Sequence, residues 1–392
     1  MEIKDLDLLL DKYVKEHIRK INKYELKMFI VSTTYPGVWL EHVYDSLMYG
    51  YLYNDYSIAK NTILNFIASQ NEYGAYPYAI KDLEGTQYYQ IQECVSFIGL
   101  AYKLYLKIND IDFLKKVYDS GKKYVSFIYK YRMTLSYGLP EMFVGYDCGH
   151  DNSQRVLRLN VSKNDKSYDS RFCPINSDKT IALDLSSNLY MTLVSLAKMA
   201  KILKKDEEEK YYNSLAKEIK EKIFTLCYDK ESDYFYDLDF NGRKIFIKSS
   251  TIFHLFQERV LDKDIDKELI ERIYNKYIHN EKEFWAPYPF PSVSLSEKDR
   301  LNYKIDNSWG YYSEALIALR ASLWMDYYGY SKDYDQLLNK WVKGIIKNFK
   351  YCPLSQELDP DTGVASMSSP NYSSTIVLIK YAIKRLKLNE RK

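Results

Sequence analysis

The stretch Asp147-Cys148-Gly149-His150-Asp151-Asn152-Ser153-Gln154-Arg155 packs two carboxylates, an amide, a hydroxyl and a guanidinium into nine polar, turn-prone residues. A second acidic turn follows far downstream, Gln356-Glu357-Leu358-Asp359-Pro360-Asp361-Thr362-Gly363. Aromatic residues are abundant between and around them. Carboxylates on loops, set among aromatic rings, suit cleavage of a glycosidic bond. One acid protonates the leaving oxygen and one base activates a water. On the residues alone Asp151 has two readings. It is a helix cap or an Arg partner, or it is a general acid whose pKa is raised by nearby aromatics or a second carboxylate. Asp147 is then that second charge, or a ligand for a sugar hydroxyl.

These motifs need a scaffold, and the sequence describes a helical one. Apolar residues recur with helical spacing near 6–29, 42–53, 57–70, 91–107, 110–131, 184–204, 208–226, 265–278, 311–328, 333–349 and 371–387. Consecutive helices come in pairs. The short link Lys107-Ile108-Asn109-Asp110 makes 91–107 and 110–131 antiparallel neighbours. One β-hairpin is expected at Tyr234–Phe240, because Asn241-Gly242 favours a type I′ turn. Eleven or twelve helices in pairs, with no Pro-, Gly- or Ser-rich linker, suggest six hairpins closed into a ring. The expectation is an all-α (α/α)6 barrel with a minor β-hairpin, forming one domain over 1–392. The long non-helical stretches 71–90, 132–183, 280–308 and 351–370 hold most of the prolines and both acidic motifs, where function usually sits. A helical repeat array is the bland alternative, and no fixed sequence period supports it.

Composition narrows the function classes. With 56 basic and 53 acidic residues in 392, the net charge is +3, and no segment carries the basic excess of a nucleic-acid binder. No apolar run reaches membrane-spanning length. Five cysteines, at 94, 148, 173, 227 and 352, form no Cys-x-x-Cys pair, which argues against a zinc site and for free thiols in a reducing compartment. Met1–Asp7 alternates charge and lacks a signal-peptide core, so the expected location is cytoplasmic. The 41 tyrosines serve core packing and wet pockets alike.

Asp-x-Gly-x-Asp-Asn-Ser-x-Arg resembles the Glu/Asp-Ser-Gly-x-Asp-Asn-Ser-Pro-Arg signature of family 63 glycoside hydrolases, and the related family 37 trehalases have a similar segment. Pro36–Tyr44 is similar to that family's Trp-x-Trp-Asp-His-Val-Phe stretch. Asp184–Tyr190 looks like its Val-Asp-Leu-Asn-x-x-Leu-Tyr helix start. Phe284–Val293 resembles its Phe-Trp-x-Pro-Tyr-Pro-x-Pro-Ser-Val loop, and Asp359–Gly363 its Asp/Asn-Pro-x-Thr-Gly turn. The resemblance implies an (α/α)6 barrel that hydrolyses a glycoside with inversion, without metal or other cofactor. It implies Asp151 as the general acid and a Glu before the Asp-Pro-x-Thr-Gly turn as the base. The small members acting on mannosylglycerate or glucosylglycerate look most like this chain.

Three departures matter. The family's base stands four residues before the turn's Pro, where this chain has Gln356, while Glu357 stands three before. A neutral amide takes no proton from water. Either the loop shifts by one residue and Glu357 serves, which is the preferred reading, or the base is missing. The family's Tyr-Trp-Arg-Gly-Pro-x-Trp segment appears as Tyr303-Lys304-Ile305-Asp306-Asn307-Ser308-Trp309. In the first signature Ser has become Cys148 and Pro has become Gln154.

The resulting expectation is an inverting glycosidase for an α-linked small glycoside, with Asp151 as acid and Glu357 as base. Glu41, Asn152 and Arg155 would hold substrate hydroxyls, with Asp147 and Gln356 beside them. Trp39, His42, Trp285, Tyr288, Tyr303 and Trp309 would line the sugar pocket, although each is equally a packing residue by type. The partner is a small carbohydrate, with neither nucleic acid nor membrane. Two rivals remain: a sugar-binding relative that has lost its base, and a phosphorylase or isomerase on the same barrel, for which Lys304 is a weak phosphate donor.

Overall fold

A computed structural model describes residues 1–21, 24–81, 85–150, 153–156, 169–174, 177–298, 308–366 and 369–388. Thirteen helices are present among them. They are α1 (Ile3–His17), α2 (Val43–Tyr53), α3 (Ser57–Ala68), α4 (Phe97–Ile108), α5 (Ile111–Tyr131), α6 (Leu183–Ile202), α7 (Asp206–Lys222), α8 (Ile252–Gln257), α9 (Lys267–Ile273), α10 (Ser308–Tyr311), α11 (Ala315–Arg320), α12 (Ser331–Asn348) and α13 (Ser373–Arg385). Leaving aside the four-residue α10, twelve helices alternate between an inner and an outer layer.

Burial separates the layers. Inner α6 is buried almost all round, from Leu183 to Ala200. Outer α7 buries only Tyr212, Ala216 and Ile219. Its first turn carries Asp206, Glu207, Glu208 and Glu209, and its last turn Lys220 and Lys222, each sign at the end the helix dipole favours. Among the inner helices, α2 packs on α4, α4 on α6, α6 on α8, and α13 on both α11 and α2. Trp324, just past α11, closes the ring by stacking on Phe253 and packing at a tilt against Phe256 of α8. It is 1% exposed, and burying a large apolar side chain this fully contributes roughly 1.5–3 kcal/mol.

The expected hairpin link is explicit. Asn109 closes α4 in the left-handed conformation at φ 50, and Asp110 caps α5 by accepting from the amides of Asp112 and Phe113. The first helix is shorter than its periodicity suggests. It ends at His17 because Ile18–Arg19 pairs antiparallel with Met28–Phe29. The Asn241-Gly242 turn forms, bridged by Leu238 and Lys244, but Tyr234–Phe235 pairs back on Tyr228–Asp229 instead of across that turn. α8 has no counterpart in the sequence reading: every one of its six residues is buried, so no amphipathic stripe marks it.

Candidate active site

The first motif enters through the strand Gly37–Trp39, which pairs with Ala79–Lys81 and runs into a 3-10 turn, Leu40–His42, at the head of α2. That turn drives Glu41 inward. Its Oε1 accepts from the Gln92 amide at 3.0 Å and its Oε2 from the Cys94 thiol at 3.1 Å. Arg320, at the end of α11, donates to the Glu41 carbonyl at 2.6 Å and to the Cys94 carbonyl at 3.3 Å. Burial raises the Glu41 pKa, against the pull of the Arg320 charge and the Cys94 and Gln92 donors. His42 meets the Tyr372 hydroxyl at 2.5 Å. Burial, then Arg320, hold its pKa well below the ordinary value, so it is neutral. Trp39 stays half-buried, with its ring edge-on to Tyr35 and His42 and the Lys81 ammonium 5.2 Å from it.

The second motif meets the first at a glycine. Gly149 has φ +72, and a side chain there would run into Glu41 and Cys94. His150 stacks on Trp309 with centroids 4.3 Å apart and stands edge-on to His254. Burial, then the Arg155 charge, keep His150 neutral; burial, then Arg320, do the same for His254. His150 Nε2 and His254 Nδ1 are buried with no hydrogen-bond partner among the described residues. Asp151, the expected acid, follows directly on His150; it lies outside the described residues, as do Asn152 and Tyr303.

Asp147 and Arg155, expected as sugar ligands, are both held by the protein's own groups. Asp147 is fully buried and accepts from Arg132 and from the amides of Ile91, Phe143 and Val144. Those four donors fix the loop. Arg155 is 1% exposed and reaches Asp237 at 2.5 and 3.1 Å and Asp184 at 2.7 and 3.1 Å. It clamps the segment after Asp151 to the start of α6. Cys148, His150 and Asp184 offer possible metal ligands within 4.8 Å of one another, but a cation there would meet the guanidinium already bound to Asp184.

Trp285 also packs internally, 4.5 Å from the His279 ring and 5.8 Å from Phe290. Tyr288 is half-buried and braces the acidic turn. Its amide donates to the Pro360 carbonyl at 2.9 Å, and its ring fills the space left by Gly344 and Gly363. Asp359 folds that turn by accepting from the Thr362 amide and hydroxyl and the Asp361 amide. The turn sets the strand Glu357–Leu358 against Ser313–Glu314, with Glu357 directly opposite Glu314.

Glu357 is 1% exposed. Its Oε1 accepts from the Ser366 hydroxyl, and its Oε2 has no partner among the described residues. Gln356 is half-buried. Glu314 is the functional candidate that sequence reasoning missed. It is fully buried, and neither oxygen has a donor among the described residues. Its pKa is pushed well above the carboxylate range by burial first, then by the Glu357 charge, with Glu41 adding and the Gln356 amide opposing. Gly149 lies against Glu41, Glu314 lies opposite Glu357, and the Glu41 charge bears on Glu314. One signal in the sequence marks Glu314: a lone acid at the head of the apolar run Ala315-Leu316-Ile317-Ala318-Leu319.

A ring of paired helices with acidic loops is the architecture of the six-hairpin glycosidases, and the solved structures agree. Mannosylglycerate hydrolase of family 63 from Thermus thermophilus, in complex with Tris, superposes with TM-score 0.77 at 14% identity, covering 96% of this chain and 99% of that one. The same enzyme with Tris and D-glycerate gives 0.74 at 15% identity, with the same coverage. Neutral trehalase from Saccharomyces cerevisiae gives 0.71 at 14% identity over 100% of this chain and 82% of that one. No curated protein matches by sequence. The profile of the mannosylglycerate hydrolase MGH1-like glycoside hydrolase domain matches residues 48–375, and the chain belongs to that family.

Proposed function

We propose that this glycoside hydrolase cleaves an α-linked small glycoside with inversion, Asp151 protonating the leaving oxygen and Glu357 drawing a proton from water. One observation carries the reading: Gly149, two residues before Asp151, touches Glu41, whose charge bears on the Glu314–Glu357 ladder. In this reading, motifs some two hundred residues apart in sequence would face one space. Glu357 suits a base because one oxygen is tethered to Ser366 while the other is bare. Inversion would set the two carboxyls about 6.5–9.5 Å apart, leaving room for the water. The chemistry needs no metal. Glu41 and the Trp309–His150 stack are the pocket walls in this reading, within one catalytic domain spanning 1–392. The Thermus relative was captured with D-glycerate and with glucose, which directs the choice of substrate to glycosyl-glycerates and disaccharides. Five cysteines, none in a disulfide, suit a reducing, cytoplasmic setting.

The test is a panel of α-mannosyl- and α-glucosyl-glycerates and disaccharides, with the anomer of the first-formed product read by NMR. Asp151→Asn should lower kcat about 10²–10⁴-fold. Near-normal turnover in that variant removes Asp151 from the mechanism, and a retained anomer removes inversion. Gln356 favours a second reading, a sugar-binding relative without hydrolysis. Calorimetric binding of a panel sugar, with no product after long incubation, would select it.

A further inference from the structure

Glu314 and Glu357 stand opposite each other in antiparallel register, so their side chains share one face of the ladder. Both are buried, at 0% and 1% exposure. Three of their four carboxyl oxygens lack a donor among the described residues; only Glu357 Oε1 has one, from Ser366. Two buried carboxylates at one site cannot both ionise. A proton on Glu314 reduces the pair to a single charge. It also creates the donor that the bare oxygen of Glu357 lacks.

We propose that Glu314 is a positioning residue for the base: it holds a proton shared with Glu357, and this hydrogen bond orients and charges the carboxylate that activates water. The proposal rests on the glycosidase reading above and gives a role to a residue outside the matched motifs. It also accounts for a working base in a chain with an amide at Gln356. The groups bearing on the pair are Glu41 from the turn before α2, Tyr372 at the head of α13, Tyr312 before the ladder, the Gln356 amide and the Ser366 hydroxyl. Arg320 acts on Glu41 and Tyr372 from the end of α11.

In the step itself, water gives a proton to Glu357 as its oxygen bonds to the anomeric carbon. The glycosidic C–O bond breaks, and the leaving oxygen takes the proton of Asp151. The pair then holds two protons and Asp151 none; the pair releases one to solvent, and solvent returns one to Asp151.

The test uses the full chain with Glu314→Leu, Glu314→Gln and Glu357→Gln. Loss of a charge-assisted hydrogen bond predicts a roughly 10- to 100-fold lower kcat in Glu314→Leu, with KM nearly unchanged. The acidic limb of its pH profile moves up, since the charged form of Glu357 has lost its donor. Glu314→Gln keeps a donor and recovers most of the turnover. Wild-type kcat and an unshifted limb in Glu314→Leu would overturn the proposal, as would equal loss in both Glu314 variants. Carbon-13 titration of the glutamate carboxyls in the ligand-free chain gives a readout independent of turnover. One carboxyl protonated at neutral pH in wild type, absent in Glu314→Gln and ionising at lower pH in Glu357→Gln, supports the pair. Full ionisation of both glutamates at neutral pH refutes it. If the wild type hydrolyses nothing on the panel, the functional reading fails, and the titration alone decides on the pair.

Discussion

Replacing Arg155 by Gln separates a scaffold role from a substrate role. The guanidinium makes four hydrogen bonds, two to Asp184 and two to Asp237, at 2.5–3.1 Å. Those carboxylates are 0% and 4% exposed. Without Arg155, Asp184 keeps the Leu185 amide and Asp237 the Leu183 amide, each at 2.8 Å. Two buried charges then lack a counter-ion. Removing one partner of a buried pair costs about 3–5 kcal/mol, and here one cation serves two anions, so the upper end applies. Domains of this kind have about 5–15 kcal/mol in total, so the variant folds with little margin.

Urea unfolding of wild type and variant at pH 7 should show this gap. Adding Asp184→Asn and Asp237→Asn should restore most of the loss. A gap below about 1 kcal/mol at pH 7 refutes the reasoning. A raised KM with unchanged stability would return Arg155 to the substrate.

Two further predictions are read in the same way. Gly149→Ala should cost about 1–3 kcal/mol from its left-handed backbone, and displacement of Asp151, two residues on, by about 1 Å should lower kcat by about 10²-fold; unchanged turnover and midpoint count against the contact with Glu41 and Cys94. Asp45, buried beneath Ser373 and Ser374, has its pKa pushed up to about 7 by burial, against those two hydroxyl donors and Arg320. The folded state therefore keeps a proton that the unfolded chain releases near pH 4, and wild-type stability falls between those two values. Asp45→Asn should gain on wild type across that window by up to about 1.4 kcal/mol per pH unit; parallel stability curves would contradict this.

The ring was legible because its outer helices are amphipathic and its links use turn chemistry. Asn109 and Asp110 close one helix and cap the next, as their residue types require. The turn at Asp359 was legible because one Asp side chain can satisfy the local amides. Glu314 was not. It fell inside a stretch with helical period, and its extended backbone is set by a strand more than forty residues away. Asp147 and Arg155 looked like ligands because sequence reveals a charge without its partner. Those partners, Arg132, Asp184 and Asp237, lie 15, 29 and 82 positions distant.

The excess of acid in the interior has a consequence for mechanism. Glu41, Asp45, Glu93, Glu258 and Glu314 are all buried, and burial raises the pKa of each. They are coupled: Asp45 and Glu314 both respond to Glu41, and Glu93 responds to Glu258 and Asp184. Arg155 is paired with two other carboxylates, Asp184 and Asp237. A core built for stability alone would pair these acids or replace them with apolar groups. A general acid that must hold its proton at neutral pH benefits from neighbours of the same sign and from exclusion of water. The raised pKa values of these acids carry a cost in stability that grows as pH rises. In the proposed mechanism, folding and turnover would depend on pH through carboxyl groups of one coupled set.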